Sequence, residues 1–126
     1  EESNYTEESC GTESMLGMYP MLETIAWFWG NCSENHSSSE VAMKQPNELG
    51  IYDMHGNVEE WCWDWFEAAY PTTDVTDYQG PATGEYRVVR GGAWNYYAQR
   101  CRSAERFRFY PNNQSFAWGF RLARRQ

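Results

Sequence analysis

The sequence predicts a loop-rich α+β domain with antiparallel strands in its C-terminal part and little helix. Three observations carry that expectation. Trp, Tyr and Phe make up 17% of the 126 residues while Leu, Ile and Val are scarce, so the core must be built largely from aromatic rings, each burying roughly 150–250 Å². From Arg87 the pattern alternates with a period of two and breaks at glycines, in "YRVVRGGAW", "RCRSAERFRFY" and "GFRLARR", which is the signature of antiparallel strands. Helical periodicity is poor throughout, and only "GNVEEWCWDW" could hold a turn or two.

Taken in order, residues 1–22 are polar and acidic and read as a leader or irregular segment. The stretch "ETIAWFWGN" reads as a short strand or turn packed by Trp27 and Trp29, and "CSENHSSSE" as a flexible loop without apolar periodicity. Residues 46–66 open on a Pro-Asn turn and contain Trp61, Trp63 and Trp65, of which two are expected to face the core. Residues 67–86 form a long loop punctuated by Pro and Gly. A chain of this length makes one domain or the larger part of one, assigned here to residues 23–126.

Charge is divided along the chain. Residues 1–86 carry 17 acidic side chains against Lys44 alone, whereas residues 87–126 carry nine arginines against Glu105 alone. The expectation is that these arginines pair with carboxylates of the first half. A net charge of −8 disfavours a nucleic-acid partner, whose phosphates would repel the chain. Mean hydropathy is −0.81 and no run of ~18 apolar residues exists, so nothing is expected to span a membrane. The four cysteines, Cys10, Cys32, Cys62 and Cys101, lie at no C-x-x-C spacing and away from His36 and His55, which argues against zinc. His55 reads as a lone, solvated turn residue. Cys62 and Cys101 are either a disulfide or two packed thiols, and Cys10 and Cys32 are the remaining pair.

"PNELGIYDMHGNVEEWCWDW", followed by "YRVVRGGAW", "RCRSAERFR" and a terminal "GFRLAR", resembles the formylglycine-generating-enzyme (sulfatase-modifying-factor) family. The resemblance runs from about Ile25 to Arg125. It implies a C-type lectin-like fold and corresponds to the C-terminal half of a usual family domain, the remainder being either trimmed away or supplied by another chain. It also implies a structural calcium ion held by the Asp53 side chain, the carbonyls of Gly56 and Val58, and the Glu60 carboxylate. Calcium takes 6–8 hard oxygens and is commonly served by carboxylates mixed with turn carbonyls. The alternative is a metal-free acidic turn in which Glu60 pairs with an arginine. The family's oxidase activity depends on a cysteine pair between "RGG" and "GFR". That segment holds only Cys101 here, so the soft ligands of a copper-dependent oxidase are missing and no enzyme is expected.

The segment at about 94–118 carries the sharper expectation. Its framework residues are interrupted where many family members are Asn-rich, and the interruptions are largely aromatic. This is similar to the variable proteins of diversity-generating retroelements. The resemblance implies a variable ligand-binding surface made by Asn95, Tyr96, Tyr97, Arg100, Phe107, Phe109, Tyr110, Ser115, Phe116 and Ala117. Tyr, Phe and Arg give large, rigid contacts at low entropic cost. For Phe107 and Phe109 a core position is an equal reading. The expected partner is a protein ligand at a cell or virion surface, with the module itself surface-borne or secreted and a cytoplasmic location as the alternative. Two other functions compete: a divergent formylglycine-generating-type oxidase, and a carbohydrate-binding lectin using the tryptophans as stacking platforms.

Overall fold

The computed structural model describes residues 17–32 and 35–123. Its elements are α1 (Pro20–Ile25), β1 (Ala26–Trp27), β2 (His55–Gly56), β3 (Glu59–Trp65), β4 (Arg87–Arg90), a 3₁₀ turn (Ala98–Cys101), β5 (Phe107–Phe109) and β6 (Trp118–Gly119). Helix α1 begins at a proline in its first turn, where the missing N–H costs nothing. It runs across the boundary that composition draws at residue 22, and Tyr19, Leu22 and Ile25 pack on a buried cluster of Ala26, Phe28, Ala98 and Cys101.

β1 and β2 pair in parallel, Trp27 opposite Gly56. The approach is so close that a Cβ on Gly56, whose φ is +72°, would lie 2.0 Å from the Trp27 carbonyl oxygen. Only glycine fits there. The main sheet has the order β5-β4-β3-β6. β3 and β4 are antiparallel with Glu60 opposite Arg90 and Trp61 opposite Val89, and the register then shifts before Trp65 meets Arg87. β4 and β5 are antiparallel with Val88 opposite Arg108. β6 joins the other edge parallel to β3.

The antiparallel strands expected after Arg87 are present as β4 and β5. "GNVEEWCWDW" is instead a strand, the longest in the chain. Its aromatic, period-two pattern suits a pleated surface better than a helix. Alternation puts Glu59, Trp61, Val89, Phe107 and Phe109 on one face, and Glu60, Cys62, Val88, Arg90 and Arg108 on the other. Trp61 and Trp65 are half-buried, whereas Trp63, beside the register shift, is 83% exposed.

That alternation overturns the Cys62–Cys101 disulfide. Both thiols are free. Cys101 lies close enough to Glu59 to feel its charge, while Cys62 lies among Arg90, Asp64 and Glu60, so the sheet stands between them. Cys32 is disulfide-bonded; Cys10 lies outside the described residues.

The arginines also depart from expectation. Among the described residues, ion pairs join Arg100 and Arg102 to Glu105 and Arg121 to Glu60, so Arg121 alone of these reaches a carboxylate of the first half. Three others lie over rings: Arg87 is 3.5 Å from the centroid of Trp65, Arg106 is 4.1 Å from that of Tyr70, and Arg108 is 4.9 Å from that of Phe66. Arg90 donates to the Ser103 and Glu105 carbonyls and to the Tyr70 hydroxyl. Guanidinium is weakly hydrated and planar, which suits stacking of this kind. These rings belong to the first half of the chain, so the arginines do reach across to it, but to its aromatic faces and not to its carboxylates.

Candidate functional site

Backbone hydrogen bonds converge behind one end of the sheet. Trp29 N–H donates to the Tyr96 carbonyl (2.9 Å), Asn57 N–H to that of Trp27 (2.7 Å), Trp94 N–H to that of Asn57 (2.9 Å), and Glu59 N–H to that of Ala117 (2.8 Å). Gly92 makes the necessary turn at φ +74°, against the Arg100 carbonyl and the Cys101 sulfur. Segment 94–101 is thereby anchored on Asn57 in the loop before β3, and segment 115–118 on Glu59, the first residue of β3.

Side chains from these segments form a continuous aromatic array. Centroid distances run 6.3 Å from Tyr96 to Phe107, 6.4 Å from Phe107 to Phe109, 4.2 Å from Phe109 to Trp118 and 5.3 Å from Trp118 to Trp61. The Arg100 guanidinium lies 4.3 Å from the Phe107 centroid. At the margins, Tyr97 meets Trp29 edge-on at 5.0 Å and Phe116 lies 5.9 Å from Trp94.

The ten expected ligand-binding residues therefore sort into three groups. Tyr97 and Phe116 are exposed, at 47% and 77%, and Asn95, Tyr96, Arg100 and Ser115 are partly accessible beside them. Phe107 and Phe109 are half-buried in the array and act as its floor. Two residues fall outside. Ala117 is 2% exposed, because its carbonyl is committed to β3 and its side chain points inward. Tyr110 is held elsewhere, 4.5 Å from Tyr86 and hydrogen-bonded to Glu85. Trp29, Trp61, Trp118 and Glu59 belong to the site although none was among the expected ligand-binding residues. Glu59 opens a strand rich in acids and tryptophans, and nothing local distinguishes it from Glu60.

Glu59 is the electrostatic centre of this arrangement. It is 1% exposed, its Oε2 accepts a 3.0 Å bond from Trp118 Nε1, and the Tyr96 side chain also bonds to it. Burial pushes its carboxyl up to about 7, opposed by those two hydrogen bonds and the charge of Arg100. The Cys101 thiol below is pushed up to about 12, by burial first and by Glu59 second, which leaves it protonated and a poor nucleophile or metal ligand. His55, expected in solvent, has its Nδ1 2.7 Å from the Cys101 carbonyl.

The four residues of the expected calcium site line one cleft of about 390 Å³, together with Arg121. Arg121 engages both oxygens of Glu60 at 2.6 Å and donates to the carbonyls of Tyr52 and Asp53. An Asp53 carboxylate oxygen accepts from Ala42 N–H at 2.8 Å. The donors are hard oxygens of the kind calcium uses, but Glu60 already faces a cation, so an ion there would share it with Arg121 or displace that side chain. Among the described residues no three His, Cys, Asp or Glu side chains are grouped as a metal site.

With this geometry in place, likeness to known proteins becomes informative. Residues 8–126 match the sulfatase-modifying factor enzyme 1-like domain. The chain belongs to that family. It is 41% identical over 91 residues to the formylglycine-generating enzyme of Streptomyces coelicolor, covering 69% of this chain and 29% of that protein. It is 37% identical over 129 residues to the serine/threonine-protein kinase pkn1 of Chlamydia caviae, covering 98% of this chain and 20% of that one. The chain thus spans well under a third of the length of these relatives. Among solved structures, Treponema denticola variable protein 1 superposes with a TM-score of 0.71 at 40% identity, covering 86% of this chain and 37% of that chain. PvdO of Pseudomonas aeruginosa gives 0.65 at 29% identity, covering 77% and 38%. The fold is the C-type lectin-like fold of the sulfatase-modifying-factor family, with the little helix and abundant loop that the sequence implied. No helix among the described residues is long and apolar enough to cross a membrane.

Proposed function

We propose that this family member is a non-catalytic recognition module whose aromatic and arginine face binds a protein ligand. The observation that carries the reading is the exposure of Phe116 and Tyr97 at the rim of a packed aromatic floor. Rigid rings braced from behind lose little entropy on binding, and large apolar groups left in water favour a partner that covers them. The likeness to a protein named as variable supports diversification of this face by a retroelement. A reverse transcriptase gene and an Asn-rich template copy beside the coding gene would be the genetic counterpart. The disulfide at Cys32 supports an oxidising location, such as a cell or virion surface. The family's oxidase chemistry has little support in this chain, because Cys101 is buried and protonated and Cys62 lies across the sheet. Within this reading a calcium ion in the Asp53–Glu60 cleft would be a structural brace beside the recognition face, held by Glu60 on the side of β3 opposite Glu59.

The test is binding of the parent and of a Tyr97→Ala/Phe116→Ala variant to a panel of surface proteins, with thermal melts alongside. An unchanged melt with loss of the partner supports a recognition face. Retained binding by the variant refutes it, and formylglycine production on a sulfatase peptide would refute the non-catalytic assignment.

A further inference from the structure

We propose that Glu59 is the positioning residue of the recognition face, setting its geometry by holding the Trp118 indole and the Tyr96 hydroxyl from beneath; this rests on the recognition reading given above. Glu59 stands at the start of β3, the longest strand, and its backbone is already locked to the Ala117 carbonyl. Its side chain is fully enclosed and reaches both segments that build the face: Trp118 through the 3.0 Å indole bond, and Tyr96 through a second hydrogen bond. From Trp118 the array continues through Phe109 and Phe107 back to Tyr96. Five side chains thus close a ring in which four are aromatic and one is a framework acceptor.

Closure of this kind has a chemical consequence for which residues the face can carry. A buried carboxylate is costly unless its oxygens are satisfied. Residues at positions 96 and 118 must therefore present a hydrogen-bond donor inward while their ring or remaining surface packs against Phe107 and Phe109. Tyr and Trp satisfy both conditions, and Phe at either place satisfies only one. The exposed positions Tyr97 and Phe116 carry no such obligation and are free to change. Glu59 thus divides the segment into positions that fix the platform and positions that vary upon it.

The test needs no ligand. In ¹H–¹⁵N spectra the Trp118 indole resonance, assigned by its loss in Trp118→Phe, is expected downfield and slow to exchange in the parent. In Glu59→Gln the amide oxygen still accepts, so the resonance moves but stays protected, since a neutral acceptor is weaker than a charged one. In Glu59→Leu it is expected to take the position and exchange of a free indole. Tyr96→Phe is expected to shift it in the parent and not in Glu59→Leu, because the two donors communicate through the shared carboxylate. An unmoved Trp118 resonance in Glu59→Leu overturns the proposal, as does an equal Tyr96→Phe shift in both backgrounds, which would mean coupling through ring packing alone. Should Glu59→Leu not fold, an unmoved resonance in Glu59→Gln is the overturning result. Retained partner binding by Tyr97→Ala/Phe116→Ala, with the Trp118 resonance responding to the Glu59 variants as expected, would overturn the recognition reading and leave this one standing.

Discussion

Single residues here are governed by what surrounds them more than by what they are. Glu59 and Glu60 are neighbours of the same type, yet one is sealed beneath aromatic rings and the other faces Arg121 across a cleft. The pair of cysteines behaves likewise. With its thiol pushed up to about 12, Cys101 should resist iodoacetamide at pH 8 in the folded protein and react only after unfolding, as read by mass spectrometry of the digested chain. Modification of native Cys101 would contradict its packing. Gly56 provides a sharper case: Gly56→Ala places a Cβ against the Trp27 carbonyl at a φ that side chains rarely adopt. A loss of about 3 kcal/mol or more is expected in urea unfolding, and a loss under ~1 kcal/mol would mean that β1 and β2 separate easily. The Gly-Asn turn and the acidic cluster were legible in the sequence. The partners of Glu59 and Glu60 were not, because Tyr96, Trp118 and Arg121, far along the chain, supply them.

At the scale of elements, the aromatic array separates floor from rim. Phe109 contacts Trp61, Trp118 and Phe107, so Phe109→Ala should cost about 2 kcal/mol or more in stability. Phe116→Ala and Tyr97→Ala, at exposed positions, should stay within about 0.5 kcal/mol. Urea denaturation of the three variants checks this, and equal losses would merge floor and rim into one core. The strands after Arg87 were readable from period-two alternation, which β5 keeps with Phe107 and Phe109 half-buried about exposed Arg108, whereas β4 buries both Val88 and Val89. β3 was misread as weakly helical because acids dilute its aromatic alternation. "GFRLARR", expected as an antiparallel strand, shares only Gly119 with β6, which is two residues long and parallel to β3, a pairing decided by a strand about sixty residues earlier.

For the whole molecule, the Asp53–Glu60 cleft links β3 to the C-terminal end through Arg121. Calcium and the guanidinium would draw on the same Glu60 oxygens, so calcium should raise the melting temperature of Arg121→Gln more than that of the parent. Melts with calcium and with a chelator decide this; no shift in either protein would leave the cleft as an arginine site alone. The family and its lectin-like fold were legible from four motifs in order, because those motifs hold the turn glycines and framework aromatics that any such fold requires. Composition anticipated a core built largely from aromatic rings, but among the described residues the buried hydrophobics are Phe28 and Trp94 with seven smaller side chains, and most other rings stay half-buried around them. The tertiary structure decided which face the rings present, which arginines stack and which pair, that Cys62 and Cys101 stand on opposite sides of a sheet, and that Glu59 lies at the centre of the site. Those outcomes depend on contacts between distant segments, and a linear pattern records the alternation of side chains without recording what lies across from them.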